Sequence, residues 1–595
     1  MTPPSDDDAF WEEMDEARFR RRRSRPTGRG EGERKRTGQS DAVRPERARL
    51  HEGPLSDDDR RRPRRPTVAA QASSPKPAAV DRPSHRGLAV AAGATGLVWL
   101  VFMLVRMFAG GPIGLADQGD GRRLICTFNV AASQPWGTET RAYVQPTYHH
   151  EQWWGESCGA DGSGEPYNST ERWMLNGAKA LTSPLGFPGE LDLRALGVLC
   201  AAFVGLGVAA WVLVLPGRIW HRVAVASLAG LVYADSLIAP WFVSAYSEPA
   251  AMVGILFLGP ALIWLWRTER TVALKLVLVA VLAMFIAAAD VRAVAIVPAV
   301  VLGLLWTRSS RRDVPLMLAE RPGRGVPRRA RLVKGAQRAG ERTVHFARTR
   351  ALALCVVAAL VFGSVLYIHA QPKRFAMVQK YDAFFGELLP NSPNGKGDLR
   401  SFGLPKSMIK ASGTDVDSIN AITRTPGFDA WNRKVSMQSI WFVYMRDPFR
   451  LVDLGTRGMH AVATGRVNYL GNFTKADGGA YRHDNRVPIF ITLFRVSDKF
   501  LPLLALLWLL TLGWGWGAAK NRRFSTAEQG VGRFAVVLVF AIATEFWITA
   551  LTEGSVEYVK HMILTDLLTA FCFPTILALR LAAWRHRDDP ARSIS

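Results

Sequence analysis

Apolar residues in this chain are gathered into long stretches, and charged segments separate them. The stretches run for roughly 16–25 residues, and about 20 apolar residues cross a bilayer as a helix. The predicted spans lie at 87–111, 194–215, 223–243, 249–266, 272–289, 291–306, 351–369, 500–517, 533–551 and 562–582. The pattern therefore predicts an all-α integral membrane protein with about ten transmembrane helices.

Basic residues are concentrated in every second connection between these spans. The basic connections are 218–222, 267–275, 308–350, 520–533 and 585–592. With a cytoplasmic N-terminus and ten crossings, all of them fall on the cytoplasmic side, as the positive-inside rule requires. We therefore expect a multi-pass protein of the cell (plasma) membrane with both termini cytoplasmic. Two large extracytoplasmic loops follow from this topology, at 112–192 and 370–499.

The N-terminal region 1–87 contains almost no large apolar residues and alternates basic and acidic runs. Such a segment cannot offset its ordering entropy, so a disordered cytoplasmic tail is predicted. It could bind lipid headgroups or a partner, but a solvated tail that fixes topology is the favoured interpretation. The other predicted regions are helices 1–7 at 88–369 with a basic loop at 307–350, a loop domain at 370–499, helices 8–10 at 500–585 and a C-terminus at 586–595.

The net charge of +24 is explained by this tail and these connections. It therefore indicates orientation in a bilayer, and a nucleic-acid partner is not predicted. Cys126 and Cys158 share the first outer loop, where an oxidising compartment would permit a disulfide between them. Arg106 lies near the distal end of the first span, and its side chain is expected to snorkel to the interface.

Asp117 and Asp120 lie three residues apart where the first span leaves the membrane. Paired carboxylates there could hold a divalent cation against a phosphate, or one could act as a general base on an acceptor hydroxyl. An ordinary Asp/Gly turn is an equally weighted interpretation.

Two more groups of charged residues lie near the outer ends of spans. Asp235 is predicted inside the third span, where a carboxylate needs a partner, and Glu248 precedes a proline at the start of the fourth. Asp290 and Arg292 occupy the tight turn between the fifth and sixth spans. They could pair with each other, or Arg292 could bind a lipid-linked phosphate.

A last group lies between the ninth and tenth spans and contains Glu553, Glu557, Lys560 and His561. A solvated ion-pair cluster is favoured over an incomplete metal site. No HExxH, Walker or Rossmann motif occurs in the sequence. All these groups are predicted to share the outer face, and we expect them to form one site.

The motifs on that face resemble those of polytopic glycosyltransferases of the GT-C type. Asp-Gln-Gly-Asp at 117–120 is similar to the Asp-Asn-Gly-Asp that follows span one in a bacterial subgroup of hexose-transferase-like glycan-biosynthesis proteins, with Gln118 replacing the usual Asn. The segment 233–249, with Tyr-Ala-Asp and Tyr-Ser-Glu-Pro, resembles the next block of that subgroup. In the second outer loop, Phe402-Gly-Leu-Pro and Asn468-Tyr-Leu-Gly-Asn-Phe resemble it too.

The resemblance implies transfer of a sugar from a polyprenyl-phosphate donor to an extracytoplasmic glycan, lipid or protein acceptor. Asp117 or Asp120 would be the base or an acid associated with a divalent cation, Arg292 a phosphate contact, and Glu248 part of the sugar site. Asp235, Asp290, Glu553, Lys560 and His561 complete the predicted substrate-binding set. A transporter or flippase and a non-catalytic scaffold for envelope assembly remain the alternatives, because fold analogy does not fix function.

Overall fold

The structure is a computed structural model that describes residues 85–117, 120–132, 142–150, 167–267, 271–306, 350–416, 420–479, 481–554 and 557–587. The predicted tail up to residue 84, the basic loop 307–349 and the C-terminal residues 588–595 therefore lie outside the described residues. These described residues belong to the compact unit that begins at Asp81.

The described chain is largely helical, and its helices follow the apolar pattern of the sequence. The α-helices are α1 His85–Phe108, α2 Arg122–Ile125, α3 Glu171–Thr182, α4 Leu193–Val214, α5 Ile219–Ala234, α6 Glu248–Arg267, α7 Val272–Ala287, α8 Val297–Leu305, α9 Arg350–His369, α10 Lys373–Tyr381, α11 Gly395–Ser401, α12 Gly427–Lys434, α13 Met437–Arg446, α14 Pro448–Thr464, α15 Ile489–Asp498, α16 Pro502–Lys520, α17 Thr526–Thr552, α18 Tyr558–His561, α19 Ile563–Ala570 and α20 Cys572–Arg587. The 3₁₀ turns are Cys126–Phe128, Ala239–Val243, Arg292–Ile296, Lys406–Ala411, Ile422–Arg424 and Lys475–Asp477, and Asp382–Leu388 is a π-helix.

Seven helical segments in the described residues are long and apolar enough to cross a membrane. They are α1, α4, α6, α9, α16, α17 and the consecutive pair α19–α20. Three shorter apolar helices are α5, α7 and the segment Arg292–Leu305 that contains α8. These helices coincide with the predicted spans and confirm the all-α membrane fold.

Contacts between helix ends show that the basic connections meet at one end of the bundle, here called the basic end. Arg267 donates to the Leu213 carbonyl oxygen at 3.1 Å, and Thr526 donates to the Arg267 carbonyl oxygen at 3.2 Å. Arg350 likewise donates to the Leu305 carbonyl oxygen at 2.9 Å. The opposite end, which carries the described parts of the segments 109–192 and 370–501, is called the loop end.

The spans α1 and α4 pack closely against each other. A Cβ placed on Gly96 would lie 2.7 Å from the Gly205 carbonyl oxygen, and one on Gly205 would lie 2.6 Å from the Gly96 carbonyl oxygen. Small residues let two backbones approach in this way, which is how membrane helices gain van der Waals contact without a hydrophobic driving force.

The first large loop contains a three-stranded antiparallel sheet beside the amphipathic helix α3. Its strands are β1 Val130–Ala132, β2 Thr147–His150 and β3 Leu191–Asp192, in the order β1-β2-β3. The register pairs Val130 with His150 and Thr147 with Asp192. Asp192 then caps α4, because its carboxylate accepts from the backbone N–H of Arg194 at 2.8 Å. The sheet thus fixes where the chain re-enters the bundle.

The second large loop is a helical layer built from α10 to α15. Its core gathers Trp431 with Tyr381, Phe384 and Phe385, all fully buried. The amphipathic helix α15 buries one face and exposes the other. The predicted small folded unit therefore packs on the loop end of the bundle.

Two local predictions need correction. The third span ends at Ala234, so Asp235 follows the helix instead of lying inside it. The chain turns there because the Asp235 carboxylate accepts from the backbone N–H groups of Leu237 and Phe490, at 2.9 and 2.7 Å. Arg106 does not snorkel to an interface, since its guanidinium is buried in an ion pair with Asp484.

Candidate active site

Arg292 is the centre of the first part of the site. Its guanidinium binds the Asp290 carboxylate through two hydrogen bonds of 2.7 Å and reaches Glu248 at 3.0 Å. The Ser247 and Tyr167 hydroxyls also donate to Asp290, at 2.8 and 3.2 Å. Burial alone would raise the pKa of Asp290, but Arg292 lowers it well below its usual value. Asp290 therefore stays charged and holds Arg292 in place.

Lys560 is the centre of the second part. Its ammonium is buried and forms an ion pair with Asp120 and another with Glu557 at 3.4 Å. It also lies 5.3 Å above the ring of Tyr246, whose hydroxyl donates to the Ala116 carbonyl oxygen at 3.1 Å. Despite burial, these carboxylates raise the pKa of Lys560, and Lys560 lowers the pKa of Asp120. Both groups are therefore charged at neutral pH.

His561 is the centre of the third part. Nδ1 lies 2.8 Å from Glu553 and Nε2 lies 3.2 Å from Glu557. Burial and Arg292 lower the pKa of His561, but the two carboxylates prevail and raise it to about 9. His561 is thus an imidazolium at neutral pH, held on both ring nitrogens.

The three parts form one electrostatic unit, because their charges act on one another. The field of Arg292 reaches both Glu553 and His561, and Lys560 acts on Glu248. The structure thus brings together seven residues that the sequence singled out. They are Asp120, Glu248, Asp290, Arg292, Glu553, Lys560 and His561. We call them, with Glu557, the charged cluster.

Two predicted residues lie beside the charged cluster rather than in it. Asp117 is buried, and its carboxylate accepts from the Gly121 N–H at 3.1 Å, which stabilises the Asp/Gly turn. Asp235 uses its carboxylate on backbone N–H groups at the start of α15. Both contacts organise the backbone next to the cluster.

The contacts within the charged cluster are ion pairs between the residues themselves. Asp290 and Arg292 pair with each other, and Glu553 and His561 form ion pairs. The residues described here contain no group of three or more His, Cys, Asp or Glu side chains that could hold a metal ion. Asp120 is bound by Lys560 and Asp117 by a backbone amide, so these donors do not form a coordination set. The divalent cation stays a prediction, and no step below depends on it.

Sequence reasoning missed Asp382, an acidic residue at the edge of the charged cluster. It begins the π-helix, and its backbone packs against Gly554, where an added Cβ would lie 2.9 Å from the Asp382 carbonyl oxygen. Burial and then the charges of Glu553 and Glu557 raise the pKa of Asp382 well above its usual value. π-helical turns are frequent at functional sites, but nothing in a polar loop sequence marks one.

Two further carboxyl groups were missed. Glu171 is fully buried on α3 and accepts from the Ala250 N–H at 2.8 Å, which satisfies the first turn of α6. Glu545 is fully buried within α17. Its position inside an apolar span was the available signal, because ionisable residues there usually have a task.

The Cys126 thiol is disulfide-bonded. Its predicted partner, Cys158, lies outside the described residues, so the pairing stays a prediction. Cys200, Cys355 and Cys572 are free thiols.

The apolar helices, the two structured loops and a buried cluster of opposite charges define a polytopic helical membrane protein. The chain belongs to the family described as the YfdI N-terminal transmembrane domain, whose model matches residues 84–590. No curated protein and no solved structure was found to match it.

Proposed function

We propose that this protein is a membrane glycosyltransferase that moves a sugar from a polyprenyl-phosphate donor to an extracytoplasmic acceptor in cell-envelope glycan biosynthesis. The proposal rests on one observation, which is that the charged cluster brings together side chains from distant parts of the chain. Asp120 and Lys560 are 440 positions apart in the chain and form an ion pair. Charges gathered from several hairpins beside a bilayer are costly to maintain without a task.

The carboxyl groups differ in a way that suits acid–base chemistry. Lys560 keeps Asp120 ionised, whereas burial and neighbouring carboxylates raise the pKa of Asp382. A general base works best when its pKa is near the working pH, so Asp382 is the better base, and Asp120 is the fixed charge. In this mechanism Asp382 takes the proton of the acceptor hydroxyl as that oxygen bonds to the sugar carbon. The bond from that carbon to the phosphate oxygen breaks as the new bond forms, and the polyprenyl phosphate leaves with the electron pair.

The charge balance also changes the role assigned to Arg292. Asp290 and Glu248 already neutralise its guanidinium, so it is a weak attractor for a phosphate. Lys560 and His561 are similarly paired. The site as a whole suits neutral hydroxyl groups, and the leaving phosphate would lie at its margin.

The test is transfer by the purified chain in liposomes, with polyprenyl-phosphate donors carrying different labelled sugars and envelope glycan from a deletion strain as the acceptor. We expect one donor to be used, and Asp120→Ala or Asp117→Ala to abolish transfer while the protein inserts normally. The control is Asp398→Asn, which should leave transfer intact. It breaks the 2.9 Å ion pair between Asp398 and Arg450, which lies in the loop domain and outside the charged cluster.

Transfer that survives both Asp117→Ala and Asp120→Ala would contradict the proposal. Flux of an unaltered lipid-linked sugar across the liposome membrane, with no covalent product, would instead identify a transporter. A deletion strain that lacks one envelope sugar and accumulates its donor would identify both sides of the reaction.

A further inference from the structure

Glu545 is a buried carboxyl group whose oxygen atoms are unused. It lies on α17, seven residues before the helix ends at Thr552, which is about two turns below the loop end. The side chain is 0% exposed, and neither oxygen makes a hydrogen bond to any group in the described part of the chain. A buried polar group without a partner is costly, so a ligand or a bound water is the expected partner.

Arg292 has one donor atom that makes no hydrogen bond within the described chain. Nε and Nη2 are taken by Asp290 and Glu248, but Nη1 is buried and has no hydrogen-bond partner among the residues described. The 3₁₀ turn that begins at Arg292 packs against α17. Arg292 and Asp290 are the charged residues whose fields act on Glu545. A donor and an acceptor without partners in the described chain therefore lie on two elements that pack against each other, near enough for Arg292 to act electrostatically on Glu545.

A hydroxyl group complements this pair. It can accept from the N–H of Arg292 and donate to the carboxylate of Glu545 with the same oxygen. An ionised phosphodiester has no proton to donate, and the charges of Asp290 and Glu248 would repel it. The chemistry favours a neutral ligand rich in hydroxyl groups, such as a sugar ring.

The surroundings of Glu545 limit how deep such a ligand can reach. Leu538 and Ala541 precede Glu545 by about two turns and one turn on the same helix face, and they line an apolar cavity of about 30 Å³. Phe571 and Ile296 line the same cavity from neighbouring elements. A hydroxyl group has no polar partner among these side chains, so Glu545 marks the floor of the polar site.

We propose that Glu545 and Arg292 together bind a hydroxyl group of the transferred sugar and orient its ring in the site. This inference rests on the proposed glycosyltransferase function, and it adds a specificity contact that the charged cluster by itself does not provide.

The experiment measures lipid binding to the purified full-length chain by native mass spectrometry in detergent micelles. The probes are undecaprenyl phosphate and undecaprenyl phosphates that carry glucose, galactose or mannose. For at least one sugar we expect the wild-type chain to bind the sugar-bearing lipid more tightly than the bare lipid. Glu545→Ala should lower the ratio of the two affinities about ten- to hundredfold, which is the range for a hydrogen bond that involves a charged group. Binding of the bare lipid should stay unchanged.

Two further variants distinguish loss of the contact from misfolding of the protein. Glu545→Gln keeps an acceptor oxygen and should lose only part of the preference. Asp566→Asn is the matched control, because Asp566 is also a fully buried carboxyl group without a hydrogen bond in the described chain. None of the charged side chains that the structure describes acts on Asp566, so its substitution should leave the preference intact.

The outcomes separate this inference from the proposed function. The hydroxyl-binding pair alone would be overturned if Glu545→Ala left the preference intact. It would also be overturned if the wild-type chain bound bare and sugar-bearing lipids equally. A wild-type chain that binds none of these lipids would overturn the proposed function and, with it, the inference.

Discussion

Both ends of the helical bundle bury cationic side chains, but the loop end holds a network of ion pairs. The basic end combines the Glu528 carboxylate, which pairs with Arg585 and His586, with cations bound to backbone carbonyl oxygens. At the basic end Arg222 donates to the Gly217 and Leu213 carbonyl oxygens at 2.9 and 3.3 Å, and Arg267 also donates to Leu213. These carbonyls lie at the end of α4. At the loop end, Lys560 and Arg292 instead meet carboxylates from other hairpins.

This difference separates charge that holds the fold from charge that can act on a substrate. Carbonyls at a helix C-terminus carry partial negative charge, so a cation there completes the helix and needs no ligand. At the loop end the ion pairs join distant segments and still leave Arg292 Nη1 and both Glu545 oxygens unused within the described chain. Burial of a charge is therefore a weak sign of function, and the identity of its partners is a stronger one.

The largest expected effect is from breaking the loop-end network at Arg292. Arg292→Met should destabilise the protein by about 3–5 kcal/mol, because it leaves Asp290 and Glu248 buried without their cation. Thermal unfolding of the purified protein in detergent would measure this loss. Arg292→Lys should recover part of it, since a lysine keeps the charge but not the paired hydrogen bonds. Wild-type stability in Arg292→Met would mean that this network is not formed.

Asp382 distinguishes chemistry from stability at the same end. Asp382→Asn should lower sugar transfer at least a hundredfold, the usual contribution of a general base, with little change in stability. Stability should hold because burial and the nearby carboxylates raise the pKa of Asp382, so its charge costs stability that the uncharged asparagine does not. Transfer rates and unfolding temperatures measured on the same preparation test both parts. Full activity in the asparagine variant would remove Asp382 from the mechanism.

The pH dependence of stability tests His561. Its pKa is raised to about 9 in the folded protein against roughly 6.5 in an unfolded chain, so the stabilisation is complete below about pH 6.5 and is lost as pH rises through 9. By linkage, the free energy of unfolding should fall by about 2 kcal/mol between pH 7 and 9. His561→Gln should flatten this part of the profile. An unchanged slope in the variant would show that another group titrates there.

The smallest effect is expected at the basic end. Arg222→Gln should cost about 1 kcal/mol or less and leave transfer unchanged, because it removes only a cation at a helix C-terminus. Unfolding temperature and transfer rate are again the measurements. A loss of transfer as large as that of a loop-end variant would abolish the distinction between the two ends.

The sequence was sufficient for the membrane architecture, because hydropathy and basic connections depend on local composition. It also singled out most of the charged cluster, since charged residues at helix ends are conspicuous in an apolar chain. It could not pair them. Nothing local indicates that Arg106 meets Asp484, or that Asp235 caps a helix that begins at Ile489. Such pairings depend on packing between segments hundreds of residues apart.

The residues that sequence analysis missed also differ in whether a local signal was available. Glu545 could have been found, because a lone carboxylate in an apolar span is unusual. Asp382 could not, because its raised pKa depends on Glu553 and Glu557, which reach it only through the fold. Sequence analysis thus finds residues whose local setting is unusual, and it misses residues that become unusual only through their neighbours in space.

The central claim is that the first large loop and the turn before the last span meet at one site, and cysteine cross-linking tests it most directly. Cys200, Cys355 and Cys572 would be replaced by alanine, and Asp120→Cys and Lys560→Cys would be combined in the membrane-inserted protein. A short bis-maleimide should join the two positions, while Asp120→Cys combined with Arg222→Cys at the basic end should stay uncoupled. Failure of the first pair to cross-link while both thiols react with a maleimide would contradict the account.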